Sequence, residues 1–205
     1  MSTHAFVDES VRGRRYLVSA ALVDPSDLTR LRKELRALLL PEQRELHFQK
    51  EKPQRRRRLA DQIVATGATI TVYTACCDNG DETARQRCLE QLARDLTTAG
   101  AHRLVLDGRE GRDILDARTL RTVLGTQPSR GGLTYEHLDS TQEPLLWISD
   151  GLGGATAPEV IGDVALPAPS TRSSTAISCE QREARPPTVR TGTGLTSAAY
   201  GALAC

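Results

Sequence analysis

Acidic side chains follow three of the predicted strands, at the point where each strand ends. These residues are Asp8, Asp107 and Asp139, and a fourth carboxylate, Asp150, lies on a predicted helix further along the chain. Polar groups at the strand ends of an open α/β sheet converge on one crevice, so we expect these side chains to meet. Carboxylates gathered in one place repel each other unless a cation neutralises them. Because Mg²⁺ and Mn²⁺ prefer such hard oxygen ligands, the pattern predicts a site for one of these ions.

A further pair of candidate ligands lies in the segment around residue 45. Glu45 and His47 are two residues apart in a predicted extended segment, so their side chains point to the same side. Two divalent ions about 4 Å apart can activate a water molecule and stabilise the leaving oxygen of a phosphodiester. The chemistry that this set of residues favours is therefore metal-dependent phosphodiester hydrolysis.

Each of these residues also has a simpler interpretation. Aspartates after strands commonly stabilise turns and helix starts, and His47 suits a structural role as well as a ligand role. In the first strand, alternation lets only one of Asp8 and Glu9 face a site. Asp8 shares its side with Phe6, and the residue types leave both assignments open.

Cations are concentrated beside Glu45. Seven Lys or Arg residues lie between positions 44 and 58, and four of them are consecutive arginines. Positive charge at a helix start opposes the helix dipole, which favours a second use such as binding of a phosphate backbone. A solvated helix end is the other interpretation. The candidate nucleic-acid-binding residues are Lys52, Arg55, Arg56, Arg57 and Arg58.

The predicted elements begin with a β-hairpin and continue with helices and strands in alternation. Strands are predicted over 4–8, 14–23, 68–77, 102–107 and 133–139, and helices over 28–39, 53–65, 81–98, 112–123 and from 145. Strands that alternate with helices indicate an α/β sheet with helices on its faces. The hairpin makes this sheet mixed rather than parallel throughout.

Composition changes near residue 151. Residues 1–150 contain 23 Lys or Arg and 22 Asp or Glu, whereas residues 151–205 contain four of each, half of the ten prolines and seven of the sixteen glycines. A segment with so little apolar pattern cannot bury enough surface to offset the entropy of ordering it. We therefore expect one folded domain over 1–152 and a disordered Pro, Gly, Ala, Ser and Thr-rich tail over 153–205.

Several classes of protein are disfavoured by features that this chain of 205 residues lacks. It contains no run of 18 apolar residues, so no membrane span is expected. Its first residues do not resemble a secretory signal, which favours a cytoplasmic protein. A nucleophilic serine motif, a phosphate-binding glycine loop and a Cys-x-x-Cys pair are also missing, which disfavours acyl transfer, nucleotide-triphosphate binding and a structural zinc site.

The candidate site residues and the short segments around them resemble those of a bacterial family known as domain of unknown function 3800. The resemblance rests on the order and spacing of short segments between positions 4 and 152. The matching segments are Ala-Phe-Val-Asp-Glu-Ser at 5–10, Glu-Leu-His-Phe at 45–48, Asp107 after its strand, Asp-Ser at 139–140, and Leu-Leu-Trp-Ile-Ser-Asp at 145–150.

This resemblance implies an RNase H-like fold and a metal-dependent nuclease, of the kind often linked to mobile elements or phage. By position, it implies an acidic site that contains Asp8, Glu45, Asp107 and Asp150. Asp139 and His47 would be supporting metal ligands.

The chain departs from the family pattern in two places. Trp147 stands where the family more often has Gln. Glycines at 151, 153 and 154 follow directly on Asp150, and glycine is among the poorest helix formers. We therefore expect the last helix to fray where a carboxylate has to be held, as in a degraded or frameshifted copy.

Three functions remain open on the sequence, so it leaves undecided whether the chain is an enzyme. The first is a divalent-metal-dependent nuclease that uses Mg²⁺ or Mn²⁺ on a nucleic-acid substrate. The second is a non-catalytic remnant of a mobile-element protein that binds nucleic acid or another partner. The third is a metal-dependent hydrolase of small phosphoesters.

Overall fold

The computed structural model describes residues 3–109, 111–125 and 132–155, with no account of the side chains of 152–155. The segment predicted as a disordered tail, 153–205, lies outside the described residues except for positions 153–155. Those three positions belong to the last helix.

Five strands form one mixed sheet within the described residues, in the order β3-β2-β1-β4-β5. The strands are β1 (His4–Arg12), β2 (Arg15–Val23), β3 (Thr69–Cys76), β4 (Arg103–Asp107) and β5 (Thr134–Leu138). Strand β2 is antiparallel to both of its neighbours, β1 and β3, whereas β4 is parallel to both of its neighbours, β1 and β5. The predicted mixed sheet with an N-terminal hairpin is confirmed.

Strand β1 is longer than the sequence pattern indicated. We predicted that it ends at Asp8, but it continues to Arg12 and pairs with β2 up to the partners Arg12 and Arg15. The reversal is made at Gly13, whose φ of 56° suits a residue without a Cβ atom. Asp8 is therefore an internal strand residue.

Helices cover both faces of the sheet, so the protein has three layers. The helices are α1 (Leu28–Arg36), α2 (Pro53–Ala65), α3 (Asp81–Thr98), α4 (Asp113–Gly125) and α5 (Leu146–Ala155). Strand β1 serves both cores by alternation: Val7 packs with the residues of α3 and α4, and Phe6 packs with those of α1, α2 and α5. Each fully buried side chain of this size contributes roughly 1.5–3 kcal/mol. No helix in the described residues is long and apolar enough to span a membrane.

Helix α5 does not fray at its glycines, so that expectation is wrong. The helix continues to Ala155, and Gly151 is buried against α2. A Cβ atom at Gly151 would lie 2.4 Å from Cδ1 of Ile63 and 3.5 Å from a ring carbon of Phe48. Glycine at this position therefore permits close packing of two helices, and that tertiary contact outweighs its poor helix propensity.

Candidate active site

Two carboxylates lie side by side where β1 and β4 run parallel. The register pairs Val7 with Leu106, which places Asp8 next to Asp107 on neighbouring strands. Burial, followed by the negative charge of Asp150, raises the pKa of Asp8 to about 7. Burial also raises the pKa of Asp107 to about 6. Asp8 has no ion-pair partner within the part of the chain that the structure describes, so its charge is uncompensated there.

Helix α5 brings a third carboxylate to this pair. The hydroxyl of Ser149 donates a 2.6 Å hydrogen bond to the carbonyl oxygen of Phe6, which fixes the helix against β1 two residues before Asp8. Asp150 follows directly, and its Oδ2 accepts a 2.9 Å hydrogen bond from the backbone N–H of Phe48. Burial raises the pKa of Asp150, although that hydrogen bond and the nearby His47 oppose the shift.

The segment between α1 and α2 supplies Glu45 and His47. Their side chains contact each other, with Nε2 of His47 2.7 Å from Oε1 of Glu45. The Ser140 hydroxyl donates a hydrogen bond to the other oxygen of Glu45. The Glu45 charge contributes to raising the pKa values of Asp107 and Asp150, so the carboxylates interact electrostatically.

These residues surround an open cleft of about 220 Å³. Four of the predicted site residues line it, and Glu45 contacts one of them, His47. The predicted residues in its wall are Asp8, His47, Asp107 and Asp150.

Trp147 has a structural position in the wall of the cleft. Its ring is buried, and its Nε1–H donates a 2.8 Å hydrogen bond to the carbonyl oxygen of Ser140. Because the hydroxyl of Ser140 in turn contacts Glu45, Trp147 helps to fix the wall of the cleft.

Asp139 is not brought to the cleft. It is exposed, and its Oδ1 accepts a 2.7 Å hydrogen bond from the backbone N–H of Thr141. Hydrogen bonds from Thr141 lower the pKa of Asp139. Its contacts are those of a turn residue after β5, the simpler interpretation of an aspartate at a strand end.

The donor set suits a hard divalent cation by its chemistry, but its arrangement is not that of a formed metal site. Within residues 3–109, 111–125 and 132–155, no three His, Cys, Asp or Glu side chains lie close enough together to hold a metal ion. Carboxylates without a cation between them repel each other, and here Asp150 and Glu45 are held instead by Phe48 and Ser140. Burial is the main cause of the raised pKa values of Asp8 and Asp107, and nearby carboxylates add to it: Asp150 at Asp8, and Glu45 and Asp139 at Asp107.

The arginine run lies away from the carboxylates. Lys52, Arg55 and Arg58 line a separate groove of about 360 Å³ between the end of α1 and α2. Arg55 is already engaged, because its guanidinium contacts Glu51 at 2.8 Å and donates a 2.9 Å hydrogen bond to the carbonyl oxygen of Leu38. Arg57 and Arg58 are exposed and Arg56 is partly buried, so the run surrounds the helix as a collar.

A buried network of charges next to the cleft was missing from the sequence-based candidates. Glu9 also lines the cleft, and its carboxylate contacts Arg85 at 2.8 Å, Arg109 and the hydroxyl of Tyr16. Arg85 is only 2% exposed. The signal was present, because Arg85 precedes Cys88 and Leu92 by three and seven residues and so shares the buried face of α3.

The network continues to the far edge of the sheet. Arg85 forms a second ion pair with Asp116 of α4 at 2.6 Å, and Nε2 of His137 on β5 lies 3.1 Å from the same carboxylate oxygen. Asp116 is 1% exposed, so both acids are desolvated and held by the arginine between them. Removal of one member of such a buried group leaves an uncompensated charge.

Comparisons with known proteins identify the fold. No protein-family model matches the chain, and no curated protein matches it in sequence. A chain of the solved PCNA:RNase HII complex from Archaeoglobus fulgidus is similar in structure, with a TM-score of 0.53 and 20% sequence identity. The match covers 78% of this chain and 75% of that chain. At this identity the likeness concerns the fold, and the predicted RNase H-like architecture is confirmed.

Proposed function

We propose that the chain is a divalent-metal-dependent nuclease that hydrolyses nucleic-acid phosphodiesters in the cleft between β1, β4 and α5. One observation carries the proposal: Asp8, Asp107 and Asp150 come from separate parts of the chain and face one cleft. The fold supports it, because the similar solved structure is named as a complex of an RNase HII.

Asp8, Asp107 and Asp150 would hold Mg²⁺ or Mn²⁺, with Glu45 close behind them. The ion would supply activation of a water molecule and stabilisation of the leaving oxygen. Asp8 and Asp107 have pKa values of about 7 and 6, so near neutral pH these carboxyl groups are partly protonated. Uptake of the ion would compete with these protons, and its affinity would therefore rise with pH.

His47 has a separate role in this proposal. Its ring is 45% exposed at the cleft and is oriented by Glu45. An imidazole held in this way can donate or accept a proton at the reacting phosphate. Metal ligation by His47 is the other role open to it. Asp139 is left out of the proposed ligand set because it lies in an exposed turn.

Nucleic acid would extend from the cleft onto the cationic surface of α2. Lys52 and Arg58 are exposed in the 360 Å³ groove, beside Gln54 and Gln62. Exposed Lys and Arg side chains bind the phosphate groups of a nucleic acid whatever its base sequence. Arg55 would support the groove rather than contact the substrate, since it is tied to Glu51.

We also propose a distant relationship to the domain of unknown function 3800. The order of the matching segments supports it, and the fold agrees with the one that the resemblance implies. In this proposal the protein acts in the cytoplasm.

A cleavage assay on the full chain tests the proposed function. Labelled single- and double-stranded DNA, single-stranded RNA and an RNA–DNA hybrid are incubated with Mg²⁺, with Mn²⁺ or with chelator. We expect cleavage of at least one substrate only when an ion is present, and a loss of at least about 100-fold in Asp8→Asn and Asp107→Asn. Asp139→Asn is the matched control and should cleave like the parent.

Other outcomes of the same assay would favour the other two functions. Salt-dependent binding without cleavage under any condition would favour a binding remnant. Turnover of a chromogenic phosphomonoester, with every nucleic acid left intact, would favour a small-molecule hydrolase. Unimpaired nucleic-acid cleavage by a folded Asp8→Asn variant would contradict the assignment of the site.

A further inference from the structure

We infer that Arg109 is the residue that binds a substrate phosphate beside the carboxylates, and that Glu9 positions it. This inference rests on the proposed function, because it names a contact between that cleft and a nucleic-acid backbone. The arginine run of α2 lies on another surface.

Arg109 stands at the carboxyl end of β4, two residues after Asp107. The loop that carries it is fixed on two sides. The N–H of Gly108 donates a 2.8 Å hydrogen bond to the carbonyl oxygen of Leu138, and the N–H of Arg109 donates a 3.0 Å hydrogen bond to Asp113. Arg109 is close enough to Asp107 for its charge to oppose the rise in the pKa of that carboxyl group.

The guanidinium of Arg109 is held from one edge. Its Nε contacts Oε1 of Glu9, a residue that lines the cleft. Glu9 is held in turn by Arg85 and by the hydroxyl of Tyr16. Since Arg85 is buried and also paired with Asp116, Glu9 has a firm anchor. Arg109 is therefore oriented before any substrate arrives, which lowers the entropy that binding would otherwise cost.

The other edge of the guanidinium is available. Among the described residues, Nη1 and Nη2 of Arg109 have no hydrogen-bond partner, and the side chain is 35% exposed. A planar guanidinium with free N–H groups matches two oxygens of a phosphate. A phosphodiester that approaches the carboxylates also brings negative charge to an acidic cleft. Arg109 is not itself a wall residue, but it supplies a cation next to Glu9 and near Asp107, which both line the cleft.

A binding experiment separates this role from a purely structural one. The parent is the full chain with Asp8→Asn, which removes turnover, and the probe is whichever labelled oligonucleotide the wild-type chain binds best in Mg²⁺. We expect Arg109→Ala to weaken binding at least about tenfold and to lower the slope of log affinity against log salt by about one, the loss of one phosphate contact. The affinity of Arg109→Lys should lie between those of the parent and Arg109→Ala.

Arg112→Ala is the matched control. Arg112 lies on the same loop and is 49% exposed, but it forms an ion pair with Glu82 at 3.8 Å, and neither residue lines the cleft. We expect it to bind like the parent. Equal affinity and equal salt slope for Arg109→Ala and the parent would overturn the inference while leaving the nuclease proposal intact. A wild-type chain that binds none of the nucleic acids would end both proposals.

Glu9→Gln tests the positioning role. Loss of a negative charge alone would tighten binding to a polyanion, so weaker binding is a signature of lost orientation. We expect affinity to fall about tenfold with the salt slope unchanged, because Arg109 keeps its charge. Affinity equal to or higher than that of the parent would contradict the positioning role of Glu9. Urea unfolding of the same variant verifies that it is folded.

Discussion

Asp8 and Glu9 are consecutive residues of one strand, yet they meet opposite environments. Glu9 contacts Arg85 of α3, Arg109 of the loop after β4 and the hydroxyl of Tyr16. Asp8, on the α5 side, is buried and lies near the carboxylates of Asp107 and Asp150. The charge of Glu9 is therefore compensated by neighbouring cations, whereas the charge of Asp8 is not.

The difference separates two uses of buried charge. Paired charges such as those around Arg85 hold elements together, and they are harmful only when one partner is removed. Crowded carboxylates such as Asp8 reduce the stability of the chain unless something neutralises them, and such arrangements cluster at functional sites.

Arg85→Met is expected to have the largest effect. It leaves the charges of Glu9 and Asp116 buried with one partner fewer, and breaking such a group typically destabilises a protein by about 3–5 kcal/mol. The free energy of unfolding in urea measures it. Arg30→Met is the matched control, because Arg30 also bridges two acids, Asp27 and Glu34, but at an exposed site. It should change stability little. Equal losses in both variants would show that burial of the network is unimportant.

Asp8→Asn is expected to change the free energy of unfolding in the opposite direction and by a somewhat smaller amount. The pKa of Asp8 is raised from 3.8 to about 7, so folding favours its neutral form. The stability associated with that form is fully present below pH 3.8 and is lost as the pH rises to about 7. At one pKa unit per about 1.4 kcal/mol, the variant should be more stable than wild type by roughly 2–4 kcal/mol at pH 8, without metal.

The difference in stability between Asp8→Asn and wild type, measured across a pH series, tests this prediction. The advantage of Asp8→Asn should shrink as the pH falls from 8 towards 4, and addition of Mg²⁺ at pH 8 should stabilise the wild-type chain alone. Asp139→Asn serves as the control of opposite sign, because hydrogen bonds lower the pKa of Asp139. Its carboxylate contributes stability above its unfolded pKa, so this variant should not gain stability at pH 8. A constant difference between Asp8→Asn and wild type across the series would contradict an uncompensated Asp8.

Gly151→Ala is expected to have the smallest effect. Alanine favours a helix by about 1 kcal/mol over glycine, but the added Cβ would lie 2.4 Å from Cδ1 of Ile63. Overpacking of this kind typically costs about 1–3 kcal/mol, so we expect a net loss of about 1 kcal/mol in urea unfolding. In an Ile63→Val background, which lacks that carbon, the same substitution should no longer destabilise. Stabilisation in the wild-type background would show that α5 is not set by this contact.

Much of the architecture could be predicted because it follows from local pattern. The predicted helices at 53–65 and 81–98 coincide with α2 and α3, since apolar spacing and flanking Pro or Gly residues mark them. The sequence also predicted that Asp8 and Asp107 meet, but it placed both at strand ends; they are neighbours because β1 and β4 pair in parallel, while β1 itself continues to Arg12.

The rest depends on contacts between distant parts of the chain. Glu9 and Arg85 are separated by 76 positions, and no local pattern indicates that they pair. In the sequence, Gly151 predicts the end of a helix, and only the structure shows that its missing side chain makes room for Ile63. Asp139 has the same position after a strand as Asp107, but its carboxylate is exposed and accepts a hydrogen bond from Thr141, whereas the next residue, Ser140, lines the cleft.

The most direct test of the account is calorimetric titration of the full chain with Mn²⁺ at pH 8. The crowded carboxylates predict saturable uptake by the wild-type chain, weaker uptake at pH 6, and none at the same concentrations in Asp8→Asn. Asp139→Asn should bind like wild type. The absence of saturable uptake by a folded wild-type chain, or unchanged uptake by Asp8→Asn, would contradict the claim that the uncompensated side of β1 is built for a divalent ion.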